Sequence, residues 1–174
     1  YDLEATCTHI LSNRLPPLFK AADDLPESWL ALCQRTIERW PDLYAARFLK
    51  DHMTLIHADL HPWEIFVPVD GSGSPRIFDW EFLCRGLGVY DVSYLIIRCR
   101  LGPETRRRFE DALIPRYCER LAALVVADYD VDICRRDCRL SIIPNILPPL
   151  AWQRPHNLVA TMEAFFDWKC EELL

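Results

Sequence analysis

Residues 53 to 81 constrain this chain more than any other stretch. The apolar run Met53-Thr54-Leu55-Ile56 leads into a polar segment, His57-Ala58-Asp59-Leu60-His61-Pro62-Trp63-Glu64. A second run, Ile65-Phe66-Val67, is followed by the turn-rich Asp70-Gly71-Ser72-Gly73-Ser74-Pro75. A third, Arg76-Ile77-Phe78, ends at Asp79-Trp80-Glu81. Short apolar runs bounded by turn formers predict strand, loop, strand, hairpin turn and strand, with Gly71 and Gly73 at the hairpin tip. Carboxylates stand where loops meet strands, and loops held between strands are where reactive side chains can be fixed in place.

Helices are expected on both sides. Residues 1 to 20 carry a weak helical pattern that Pro16-Pro17 should end. Asp24 to Pro26 reads as a turn, and Pro26-Glu27 then opens a helix with Trp29, Leu30, Cys33 and Ile37 at helical spacing. Trp40-Pro41 should interrupt it, with Pro41 starting a second helix to about residue 50. Leu83 to Gly88 reads as a loop. Val89 to Leu101 predicts a buried helix with Val89, Val92, Leu95, Ile96 and Cys99 inward. Glu104 begins a longer one whose apolar stripe is Phe109, Leu113, Tyr117, Leu121 and Leu124, and Arg106-Arg107-Arg108 reads as a solvated basic face. A helix near Val131 to Ile143 stops at Pro144. A final one, Pro155 to Leu173, turns Leu158, Met162, Phe165 and Phe166 inward. The fold class is therefore α+β and mainly helical, with one small β-hairpin, in a single domain without internal repeats.

Composition narrows the function. The chain is 51% hydrophobic, enough to build a core, and its net charge of −6 argues against a nucleic-acid partner. No apolar run is long enough to span a bilayer, so no membrane role is expected. No secretory signal opens the sequence. The eight cysteines are scattered without a Cys-x-x-Cys pair, the pattern of free thiols in a cytoplasmic protein.

In order and spacing, His57, Asp59 and Ile77-Phe78-Asp79-Trp80-Glu81 resemble the catalytic loop and the segment after it in the aminoglycoside phosphotransferase and choline kinase-like family. These are small-molecule kinases related to protein kinases. The family pattern is His-Gly-Asp-x-x-x-x-Asn, a hairpin, then Ile-Asp-aromatic-Glu. Tyr90-Asp91-Val92-Ser93-Tyr94-Leu95 is similar to a further family feature, an aspartate at a helix start. Two positions depart: Ala58 stands in place of Gly, and Glu64 in place of Asn.

The resemblance implies the C-terminal lobe of a protein-kinase-like fold over residues 1–174, its small hairpin carrying the catalytic loop. The N-terminal nucleotide-binding lobe is absent from this chain: Lys20, Lys50 and Lys169 are its only lysines, and none lies in a Val-Ala-Ile-Lys-like strand. The implied function is ATP-dependent phosphorylation of a hydroxyl on a small molecule, such as an aminoglycoside, choline or a similar amino-alcohol. Asp59 would accept the hydroxyl proton and His57 would orient the loop. Asp79 would hold Mg2+, with Glu64 as a second ligand and cofactor contact, longer than Asn and charged. Asp91 would accept backbone hydrogen bonds from the loop, and Trp80 would pack. A cationic substrate suits carboxylates and aromatic faces. Glu163, Asp167, Trp152 and Trp168 lie in the C-terminal helices that resemble the family's substrate side. The isolated lobe is expected to turn over ATP negligibly. The alternative is a catalytically degenerate pseudokinase or binding module of the same fold, suggested by Glu64, Ala58 and the absent lobe.

Other readings of the same residues are weaker. His57-x-Asp59-x-His61 could share one face of an extended segment and bind zinc, but no further histidine cluster supports it. Arg85-Gly86-Leu87-Gly88 lacks the third glycine and the strand-to-helix context of a phosphate loop. Asp128 to Asp132 lacks the central glycine and terminal glutamate of a calcium loop. His52 reads as structural.

Overall fold

The computed structural model describes residues 3–21, 25–48, 51–124, 126 and 128–174. Asp24, where the expected turn to Pro26 begins, and the helix end expected near residue 50 lie outside them. In chain order the elements are α1 Leu3–Asn13, α2 Leu15–Ala21, α3 Glu27–Leu43, β1 Met53–Ile56, β2 Ile65–Phe66, β3 Arg76–Ile77, β4 Cys84–Leu87, α4 Tyr90–Arg98, α5 Pro103–Ala123, α6 Val131–Ile142, α7 Leu147–Ala151 and α8 Pro155–Asp167. The fold is mainly helical with small antiparallel sheets, compatible with α+β. The chain divides into two compact units, Tyr1–Asp51 with Arg139–Leu174, and His52–Cys138.

The first unit is helical. Pro16-Pro17 open α2 instead of ending a helix, because the N–H groups of a first turn have no intrahelical partner and proline loses nothing there. Pro41 lies inside α3, close to its end, and a wider π-type turn follows at Tyr44–Phe48. One helix with a relaxed end thus replaces the two expected. Cys33, Thr36, Ile37, Trp40 and Leu43 form its buried face, and α3 packs against α1 and α2. In α8, Leu158, Met162 and Phe165 are buried as expected, while Phe166 is exposed beside Trp29, their ring centroids 6.2 Å apart.

The second unit holds both sheets. β2 and β3 form the expected hairpin, Ile65 opposite Ile77 and Phe66 opposite Arg76, with Gly71 and Gly73 at φ 70° and 80° in the connection. β1 pairs antiparallel with β4, Met53 opposite Leu87 and Ile56 opposite Cys84. That strand replaces the loop expected at Leu83 to Gly88. Cys-Arg-Gly-Leu has no alternation to announce a strand; it becomes one because β1 offers it a backbone ladder. Gly86 leaves room for the Ile56 side chain: a Cβ there would fall 2.3 Å from Ile56 Cδ1, and that side chain would have to turn away.

Two helices in this unit present different faces from those expected. Val89, just before α4, and Ile96 are buried as expected, but α4 also buries Ser93, Tyr94, Ile97 and Arg98, while Cys99 is exposed. α5 buries Arg106, Glu110, Ile114 and Cys118, at intervals of one helical turn, and exposes Phe109. Arg106 is only 2% exposed and bonds Glu110 at 2.7 Å. A paired charge can be buried where an unpaired one cannot, so one arginine of the supposed solvated face belongs to the interior. His52 bonds Asp137 at 2.7 Å and meets the Tyr129 ring edge-on. All eight cysteines are free thiols, Cys84 and Cys99 exposed and the others buried. Among the described residues no helix is long and apolar enough to cross a membrane.

Candidate active site

The polar loop after β1 is tied to two later elements of the second unit. Asp91 stands in the first turn of α4, where the helix dipole favours a carboxylate. Its Oδ2 accepts the His57 N–H at 2.7 Å and its Oδ1 the Ala58 N–H at 2.9 Å. The two bonds hold Ala58 at φ 68°, a left-handed conformation that costs an L-residue roughly 1–2 kcal/mol. The second tie is the His57 side chain, which is 1% exposed. Its Nε2 lies 2.7 Å from the Phe78 carbonyl, which can only accept, so Nε2 carries the proton. Nδ1 is then the acceptor, 3.4 Å from the Asp59 N–H. Trp80 covers the ring at a centroid distance of 4.8 Å, and its indole N–H donates to the Ile77 carbonyl at 3.2 Å.

Asp59 is half-buried at the centre of this arrangement. The Tyr94 hydroxyl donates to Oδ1 at 2.5 Å, while Oδ2 faces His61 Nε2 at 3.8 Å. His61 Nε2 is also 3.4 Å from Glu64 Oε1. Burial pushes the Tyr94 phenol well above its usual range; the positive Arg98 opposes the rise and the bond to Asp59 adds to it. Tyr94 therefore stays protonated and remains a donor. Sequence reasoning assigned it no role, although Tyr94 lies three residues after Asp91, a spacing that puts both on one face of α4.

Glu64 and Asp79 lie at one end of the β2–β3 hairpin. The Phe78 N–H donates to the Glu64 carbonyl at 3.2 Å, extending the ladder by one step. Asp79 follows at φ 60°, which ends the strand and starts the short turn Trp80–Phe82. Glu64 Oε2 is buried without a hydrogen-bond partner among the described residues. A lone buried carboxylate oxygen can serve a hard cation, but no group of three or more His, Cys, Asp or Glu that could hold a metal ion is found among the described residues. Both ring nitrogens of His57 are engaged within the chain, so it does not complete a zinc site with Asp59 and His61.

The remaining sequence candidates belong to the first unit. Glu163 is half-buried and Asp167 exposed, one turn apart on α8, and Trp168 caps that helix. Trp152 caps α7 and is exposed.

The model of the phosphotransferase enzyme family matches residues 8–127. That is well over half of the chain, and the chain belongs to this family. Phosphoryl transfer in general is the chemistry the family indicates. Neither a curated protein nor a solved structure gave a match.

Proposed function

We propose that this chain transfers the terminal phosphoryl group of ATP to a hydroxyl of a small molecule, as the C-terminal lobe of a protein-kinase-like fold. The observation that carries this reading is the Asp59 carboxylate, one oxygen held by Tyr94 and the other turned away from it, on a loop tied to α4 and to the end of β3. Phosphoryl transfer asks a protein chiefly for position and for neutralised charge. The substrate hydroxyl gives its proton to Asp59 Oδ2 as its oxygen bonds to phosphorus and the bond to ADP breaks. His57 keeps the loop in register with the hairpin. Asp79 and Glu64 would hold Mg2+, which supplies charge to offset the phosphates.

An amino-alcohol such as choline or an aminoglycoside suits the reading, with Glu163, Asp167, Trp152 and Trp168 as the surfaces that would attract its cation. The nucleotide-binding lobe would come from outside residues 1–174, and the setting would be cytoplasmic. One observation favours the pseudokinase alternative: Glu64 Oε1 already lies 3.4 Å from His61 Nε2.

The test is Mg2+-dependent ADP release by the full gene product, given a panel of amino-alcohols and aminoglycosides. Release should require one class of alcohol, stop on chelation of Mg2+, and fall by at least about 100-fold in Asp59→Asn, the scale of a lost general base. A folded wild-type protein that releases no ADP with any alcohol would overturn the reading in favour of the pseudokinase.

A further inference from the structure

Asp91 fixes the backbone of the catalytic loop but leaves the Asp59 side chain free to turn about its own bonds. A carboxylate on a fixed backbone still rotates through a broad range at its last torsion. An acceptor of the substrate proton must instead offer one oxygen in one place. Tyr94 removes that freedom, because its hydroxyl reaches Asp59 Oδ1 at 2.5 Å. We infer that Tyr94 is a positioning residue, holding the Asp59 carboxylate in a single orientation so that Oδ2 alone meets the substrate hydroxyl. The inference rests on the kinase reading above and adds to it a residue outside the loop.

The surroundings of Tyr94 support the role. The residue is 1% exposed, so its hydroxyl does not exchange Asp59 for water at will. Its ring is braced by Tyr90, stacked at 5.7 Å, and by the Arg98 guanidinium, 4.5 Å from the ring centroid. All three residues lie on α4 with Asp91. One rigid helix therefore sets both the loop backbone, through Asp91, and the orientation of the carboxylate, through Tyr94. Because Tyr94 stays protonated, it cannot take the substrate proton itself, and that task is left to Asp59.

The test pairs a structural readout with a kinetic one, both on the full gene product. For the first, tyrosine labelled with 13C at Cζ is incorporated, and the Tyr94 resonance is assigned by its loss in Tyr94→Phe. In Asp59→Ala, which removes the acceptor, that resonance should move. For the second, Tyr94→Phe keeps the ring and its Arg98 contact and removes one oxygen. Its kcat should fall about tenfold, the scale of one hydrogen bond to a charged group, with KM for ATP and for the alcohol unchanged within about twofold. A stationary resonance overturns the contact. A moving resonance with an unchanged kcat, or with the loss confined to KM, overturns the positioning role. If Tyr94→Phe does not fold, the whole set of labelled tyrosine resonances, Tyr94 among them, is compared between wild type and Asp59→Ala: a set in which none moves overturns the proposal, and a shift supports it. Wild-type protein that turns over no alcohol overturns the kinase reading and the role within it, while the resonance separately reports whether the bond exists.

Discussion

The loop after β1 and the β2–β3 hairpin are neighbours in sequence and opposites in construction. In the loop, His57 is almost wholly buried, two consecutive N–H groups share one carboxylate, and the Asp59 side chain has its own donor. In the hairpin, Phe66, Val67 and Val69 are exposed, and beyond its short backbone ladder the side-chain ties are local, such as the stacked pair Phe66–Phe78, 4.6 Å apart, and the Asp70–Ser72 turn. The loop's position is set by Asp91, which lies 34 residues beyond His57, more than by the strands that flank it. Strands deliver a loop to a place; a distant helix decides where its atoms point.

The largest effect should follow from cutting that distant tie. Asp91→Ala leaves the His57 and Ala58 N–H groups without their acceptor, next to a buried ring. Stability should drop by about 3 kcal/mol in urea unfolding, since the bonds are charge-assisted and the donors become orphans. ADP release should fall at least about 100-fold, because a misplaced catalytic group costs on that scale even when it is intact. A fully stable, fully active Asp91→Ala protein would show that the flanking strands suffice and would erase the contrast between the two regions.

The sequence made the hairpin and the loop legible because their signals are local: apolar runs, glycines at a tip, carboxylates at fixed spacing. Asp91 was legible through its motif. Tyr94 was not, because a tyrosine on an apolar helix face reads as core, and only its placement beside Asp59 reveals a polar duty. β4 was hidden for a related reason. Arg85-Gly86-Leu87-Gly88 has the composition of a loop, and its strand conformation depends on pairing with β1. The inward face of α5 was misread because Arg106 and Glu110 neutralise each other, and a pattern of apolar residues has no symbol for a buried ion pair. Pro41 was given too much weight: α3 runs on through it to Leu43, forgoing only the one bond that the missing N–H would have made.

A smaller effect sharpens the comparison from inside the loop. Ala58 stands where the family has Gly, a substitution that looks slight by size and is not slight by conformation, since φ is 68°. Ala58→Gly removes the left-handed penalty of roughly 1–2 kcal/mol and returns part of it as chain entropy, about 0.5–1 kcal/mol. The unfolding free energy should therefore rise by a net of about 0–1.5 kcal/mol, with kcat unchanged because Asp91 still fixes the backbone. Loss of stability would mean that the Ala58 methyl is packed well enough to outweigh the strain.

The smallest effect belongs at the tip of the hairpin. Val69 is fully exposed, so replacing it with a hydroxyl side chain removes no buried apolar surface. Val69→Ser should leave the unfolding midpoint where it is, within the error of the measurement, and solubility should not fall. That outcome keeps the hairpin as the loosely held partner of a tightly held loop. A clear loss of stability would mean that the tip is covered in solution, and the row Phe66, Val67 and Val69 would then have to be counted as an interior surface. The two regions would in that case differ in what holds them and no longer in whether they are held.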